Sequence, residues 1–319
     1  ASNLSGCALR LEGAPQRITL LHLNDLHGAL YAQPEEGGER GGAANLIGLI
    51  ERVREQAAAP VLLLDAGDAF QGTYVSNSNR GRAVVELMNL AGVDALALGN
   101  HEFDWGLEVL SARAKEAAFS FLAANLETEA GEALPWVQPY ALLNAGEATV
   151  GVLGLTYHDL KTIVRADAVA GVRSLPPAET VRRYLPELAS KADLVVILSH
   201  LGLDADRALA EAFPEIPLIV GGHSHQALSR GQWMGQTLIA QAGSQGAYLG
   251  QIDAVHDPRQ GKLDQQETTA RLIKVTDAGT PSADAAAIVA RWGDEAEKRG
   301  AEVVGTAAIP LPRGNGGET

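Results

Sequence analysis

Five short blocks gather most of this chain's histidines beside a few acids: Asp25-Leu26-His27, Gly67-Asp68, Gly99-Asn100-His101-Glu102, Ser199-His200 and Gly222-His223-Ser224-His225. Five of the eight histidines fall inside them, a concentration for which a packed core has little use. A dinuclear metal centre needs it. The candidate ligands are Asp25, His27, Asp68, Asn100, His200, His223 and His225, with His101 left over. Oxygen and imidazole donors without thiolate suit Mn, Fe, Co, Ni or Zn better than a soft metal. The set is too large for one open catalytic metal and about right for two. Paired ions roughly 3.5–4 Å apart clamp attacking and leaving oxygens, and a bound water whose pKa falls to about 7 becomes a hydroxide nucleophile.

The blocks differ in weight. Asp25-x-His27 alone is more often a polar turn, and Gly67-Asp68 alone carries no signal because Gly-Asp marks turns everywhere. Gly99-Asn100-His101-Glu102 is strong, since four polar or special residues in a row have little packing rationale. A His-rich surface loop explains Gly222-His223-Ser224-His225 about as well as a ligand block does. Order and position decide. Each block follows an apolar run: 18–23, 61–64, 95–98, 194–198 or 218–220. Ligands of open α/β sheets bind beyond the carboxyl ends of the strands, so these ends can converge on one point.

The elements that must position them are legible as patterns. Further apolar runs at 119–123 and 150–155 complete a set of short continuous segments, as expected for strands buried on both faces. Leu46, Ile50 and Val53 repeat at helical spacing, as do Val84, Met88 and Ala91, and Val181, Leu185 and Leu188. Strands alternating with helices predict an α/β fold, a layered sandwich of sheets flanked by helices. From about 237 to 275 the pattern changes to strands at 238–240, 249–255 and 268–275 joined by turns at Asp257-Pro258 and Gly261-Lys262. Thr280-Pro281-Ser282 then opens a helix with Ser282 as N-cap, and Lys298-Arg299-Gly300 closes it. His22, inside a strand, is expected to pack; His158 is read as a loop residue and His256, beside a turn, as solvated.

Composition narrows the classes. With 319 residues, 46% of them apolar and 20% charged, the chain can bury a large core and is an ordinary globular sequence. A net charge of −14 argues against a basic nucleic-acid surface. For an anionic substrate, positive charge must then come from bound cations. The single cysteine, Cys7, excludes an intrachain disulfide and a cysteine-based zinc site. Leu4-Ser5-Gly6-Cys7 resembles a bacterial lipobox, which makes Cys7 a candidate lipid anchor; an incidental cysteine in a short tail explains it equally well.

In order and type, the five blocks resemble the calcineurin-like metallophosphoesterase superfamily. The 5′-nucleotidase family within it is matched by Leu23-Asn24-Asp25-Leu26-His27-Gly28, Gly67-Asp68-Ala69-Phe70-Gln71-Gly72-Thr73 and Gly99-Asn100-His101-Glu102-Phe103-Asp104-Trp105-Gly106. The resemblance implies two mixed β-sheets flanked by helices, with two divalent ions (Mn, Zn, Co or Fe) at the strand ends. It implies that Asp68 bridges them, that Asp25, His27 and His225 hold one, and that Asn100, His200 and His223 hold the other. His101 would meet the phosphoryl group in the transition state or protonate the leaving group, oriented by Asp104. Glu102 and Asn125 are expected behind the ligands, with Asn24 and Gly28 shaping the first loop.

The activity implied is attack of a metal-bridging hydroxide on a small phosphoester, most often a 5′-nucleotide. Nucleotide sugars, 2′,3′-cyclic nucleotides and thiosulfate adducts are the alternatives within the family, and a non-catalytic metal-binding module is the alternative outside it. The resemblance further implies an extracytoplasmic enzyme. Its expected organisation is an N-terminal tail at 1–16, a catalytic domain at 17–279, a connecting helix at 280–300, and at 301–319 the start of a substrate-binding domain that is truncated or absent here.

Overall fold

The computed structural model describes residues 15–276 and 279–302, so Cys7 and residues 303–319 lie outside the described residues. The strands in chain order are β1 Gln16–Leu23, β2 Gln33–Glu35, β3 Gly38–Arg40, β4 Val61–Asp65, β5 Ala95–Ala97, β6 Ser120–Leu122, β7 Leu126–Thr128, β8 Tyr140–Ala145, β9 Ala148–Leu155, β10 Val172–Ser174, β11 Leu194–Ser199, β12 Leu218–Gly221, β13 Gln232–Met234, β14 Thr237–Ala240, β15 Tyr248–Asp257, β16 Lys262–Leu263 and β17 Thr269–Lys274. The helices are α1 Ala43–Gln56, α2 Tyr74–Asn79, α3 Arg82–Ala91, α4 Gly106–Glu116, α5 Pro177–Lys191, α6 Leu203–Ala212 and α7 Ala283–Gly300. Every apolar run read as a strand is one. The short or half-exposed elements β2, β3, β7, β8, β10, β13, α2, α4 and α6 carried no sustained period and were not foreseen.

Two mixed sheets form. The first runs β16-β15-β1-β4-β5-β6, with β17 also paired to β15. The second runs β13-β14-β12-β11-β9-β8. In each, four neighbouring strands are parallel: β1, β4, β5 and β6 in one, β9, β11, β12 and β14 in the other. Alternate side chains of one strand therefore serve two cores. Leu62 and Leu64 of β4 join Val196 and Leu198 of β11 in the layer between the sheets, while Leu63 faces α1 and α3 and Ile197 faces α5 and α6. The result is helix, sheet, sheet, helix, as expected. It also explains why the strands read as unbroken apolar runs: neither face of a central strand meets water.

One expectation needs correction and another holds in part. His256 is fully buried rather than solvated, because it lies in β15 opposite Gln16 and Leu263 before the turn begins. Ser282 takes the N-cap position of α7, its carbonyl accepting from Ala286 N–H (3.0 Å), but its hydroxyl donates to Glu51 Oε1 (3.0 Å) and makes no side-chain cap. His22, by contrast, packs as expected, within β1 and 1% exposed.

His22 makes stability depend on pH. Burial holds its pKa down at about 4, whereas unfolded it titrates near 6.5. Falling pH thus favours the unfolded chain throughout that window. This histidine alone should cost on the order of 3 kcal/mol by pH 4. Denaturant unfolding of wild type and His22→Gln between pH 7 and 4 should show a shallower loss in the variant. Parallel curves would mean that His22 does not contribute.

Candidate metal centre

The loops after β1, β4, β5, β11 and β12 meet at one end of the two sheets. The first two run side by side as an irregular continuation of the parallel ladder: Asp25 N–H donates to Gly67 O (2.8 Å), His27 N–H to Asp68 O (2.9 Å) and Gly28 N–H to Ala69 O (2.9 Å). Their turns are tight. Asp25, His27, Asp68, His223 and His225 all have φ between 50° and 71°. Such left-handed backbone at non-glycine residues costs of order 1–3 kcal/mol each and persists only where the surroundings impose it. That five candidate ligands share it marks a site built for aim rather than stability.

Glu102 imposes part of this geometry. Its buried carboxylate accepts from Asp68 N–H (2.8 Å) and Ala69 N–H (2.8 Å) on one loop and from Gly99 N–H (2.8 Å) on the next, with Phe70 N–H more distant at 3.3 Å. Burial, then the nearby Asp68 carboxylate, push its pKa up to about 7. Gly99 has to be glycine for close approach, since a Cβ there would lie 2.2 Å from Asp68 Oδ1. Gly222 is similar, with a Cβ falling 2.9 Å from His200 Nδ1. As expected, Asn24 shapes the first loop: its Nδ2 donates to Asp25 Oδ2 (2.6 Å) and its Oδ1 accepts from Ala242 N–H (2.7 Å). Asn125 instead ties the chain after β6 to the loop after β9, through Thr156 O and Thr156 N–H (both 2.9 Å).

These loops bring all the expected acids and histidines together. Asp25, His27 and His225 form one group with donor atoms within 4.8 Å of one another, and Asp68, His200 and His223 form a second. Asp68 also joins His27 and His101, which links the two. His101 N–H donates to Asp68 Oδ1 (2.8 Å). Its ring Nδ1 lies 2.7 Å from Asp104 Oδ2, and its ring centroid is 5.3 Å from that of His27.

Hydrogen bonding orients the imidazoles. His27 Nδ1 must carry the proton it gives to Gln71 O (3.0 Å), so its Nε2 presents a lone pair to His225 Nε2 at 3.1 Å. His200 Nδ1 likewise donates to Ala66 O (2.6 Å), which leaves Nε2 facing Asp68 Oδ2 at 3.1 Å. Asn100 Oδ1 is buried with no partner. Ring nitrogens and carboxylate oxygens converging this closely suit a cation, which they can ligate together. The residues therefore fit metal ions.

The acids of the cluster favour positive charge beside them. Burial resists charge on His200, but Asp68 and Asp25 push its pKa up to about 10. Burial likewise resists charge on Asp68, yet His200 and His101 hold its carboxyl well below the usual range. His27 is lowered by burial, and His223 by burial and by His200. The Asp104 hydrogen bond raises His101, and the Asp25 hydrogen bond raises His225.

Three supporting residues escaped sequence reading. Asp65, fully buried, accepts from Gly67 N–H (2.8 Å), and burial pushes its pKa up to about 8. Asp206 accepts from Ser199 Oγ (2.5 Å), and burial pushes it to about 7. The Tyr157 ring centroid lies 4.6 Å from that of His223. Asp65 ends an apolar run, which is a faint signal; Asp206 sits among ordinary helical acids and gave none.

Comparison with known proteins shows the family. Residues 18–227 match the calcineurin-like phosphoesterase family. The chain belongs to that family. It is 32% identical to 5′-nucleotidase of Bos taurus over 241 residues, which cover 71% of this chain and 41% of the relative. It is 31% identical to 5′-nucleotidase of Vibrio cholerae over 302 residues, 82% of this chain and 53% of that one. The crystal structure of a 5′-nucleotidase precursor from Thermus thermophilus superposes with a TM-score of 0.80 at 30% identity, covering 90% of this chain and 60% of the other. The chain thus spans about half the length of these relatives.

The Glu102 clamp can be tested directly. Glu102→Gln keeps the volume but replaces one acceptor oxygen with a donor, leaving buried N–H groups unpaired. It should cost on the order of 2–4 kcal/mol and weaken metal binding tenfold or more. Denaturant unfolding and metal titration check both; wild-type values would show that the clamp is dispensable.

Proposed function

We propose that this chain is the catalytic part of a two-metal phosphoester hydrolase that converts 5′-nucleotides to nucleoside and phosphate. The observation that carries this reading is the pair of donor groups joined through Asp68, with the His101–Asp104 pair beside them. Asp25, His27 and His225 would hold one divalent ion, Asn100, His200 and His223 the other, and Asp68 both. When bound, such ions supply a hydroxide nucleophile near neutral pH and neutralise charge on the phosphoryl oxygens.

The remaining work falls to side chains. Asp104 fixes the His101 ring through Nδ1 and favours its protonated form. His101 Nε2 is then free to stabilise charge on the phosphoryl group or to protonate the departing alkoxide. Glu102 keeps the loops of Asp68 and Asn100 in register while this happens. The nucleotide as substrate rests on the relatives named 5′-nucleotidase. We further propose an extracytoplasmic setting and the division into a catalytic domain at 17–279 and a connecting helix at 280–300. Among the described residues no helix is long and apolar enough to cross a membrane.

Phosphate release from AMP and from a small aryl phosphate, assayed with added Mn²⁺, Co²⁺ or Zn²⁺, tests the reading. Metal-dependent turnover of either is the expected result. No turnover of either, with metal bound, would contradict it. His101→Ala should lower turnover by about 10²–10⁴-fold with metal content unchanged in elemental analysis. Loss of metal in that variant would mean that His101 is a ligand rather than the acid.

A further inference from the structure

A cleft of about 720 Å³ opens where α2, α3, α4 and α7 meet. Five arginines line it: Arg80, Arg82, Arg113, Arg291 and Arg299. In a chain with 39 acidic and 25 basic residues, that clustering runs against the overall charge. The acids on its walls, Glu86, Glu108 and Glu295, are fewer.

The arginines are not all committed. Arg113 donates to Asn79 O and Arg80 O, at the end of α2, and pairs with Glu116 (3.1 Å). Its Nε is nevertheless buried with no partner. Arg299 caps the same helix end through Ser78 O, and Arg291 pairs with Glu86 (2.5 Å). Arg82 reaches Glu116 only through Nε at 3.4 Å. Arg80, exposed and held in left-handed backbone at φ 54°, joins none of the hydrogen bonds or ion pairs described for side chains.

We infer that this cleft is a second anion site, separate from the metal centre, that takes a small, multiply charged phosphate. Guanidinium forks match phosphate oxygens in bidentate geometry. The volume lies within the range of small-molecule sites, roughly 300–1,000 Å³. The arginines outnumber the acids even with Glu116 counted, so an anion is favoured, and Arg80 and Arg82 are the least committed of the five to hold its oxygens.

Isothermal titration of the metal-loaded protein with pyrophosphate tests this. Wild type should bind at the cleft in addition to any binding at the metals. Arg80→Ser/Arg82→Ser, altering two exposed side chains, should remove or weaken the cleft component at least tenfold while the thermal transition stays in place. Arg80→Lys/Arg82→Lys, which keeps charge but not the forks, should fall between the two. An isotherm for the serine variant that superposes on wild type would overturn the inference, as would wild-type binding fully accounted for by the metal centre.

Discussion

The Glu102 carboxylate accepts hydrogen bonds from two loops at once, and those loops have few other means of keeping their relative positions. They leave the ends of adjacent parallel strands, where the ladder stops supplying partners for backbone N–H groups. A buried anion replaces those partners, and charge-assisted bonds of this kind are about twice as strong as neutral ones. Asp68 and Asn100 sit on the clamped segments, so the aim of both follows from one side chain. The left-handed turns at Asp25, His27, Asp68, His223 and His225 extend the same economy: backbone strain is accepted where it points donors inward.

Such an arrangement concentrates negative charge in a chain that is already acidic. Asp25, Asp65, Asp68, Glu102 and Asp206 are all buried near or behind the cluster. Burial pushes Asp65 and Asp206 up to about 8 and 7, so each can stand neutral. Asp68 differs, because His200 and His101 hold it ionised. Bound cations would complete the neutralisation and would let an acidic protein accept an anionic substrate.

Much of this was legible in the sequence because buried strands and metal ligands both leave dense local signals. The runs at 61–64, 194–198 and 218–220 are strands, and the polar blocks after them converge as sheet geometry requires. Legibility failed where the decisive contact is remote. Nothing near Asp206 indicates that it will meet Ser199, and nothing near Arg113 indicates the end of α2. His256 was misjudged because the adjacent turn begins one residue later than the Asp-Pro signal suggests, leaving the imidazole inside β15. Short half-exposed strands such as β8 alternate too weakly to stand out from loops.

The central claim is that the two donor groups hold two cations shared through Asp68. Crystals grown with Mn²⁺ and measured at the manganese absorption edge would test it most directly. The account predicts two anomalous peaks about 3.5–4 Å apart, one against Asp25, His27 and His225, the other against Asn100, His200 and His223, with Asp68 touching both. A single peak, or peaks away from these side chains, would contradict it.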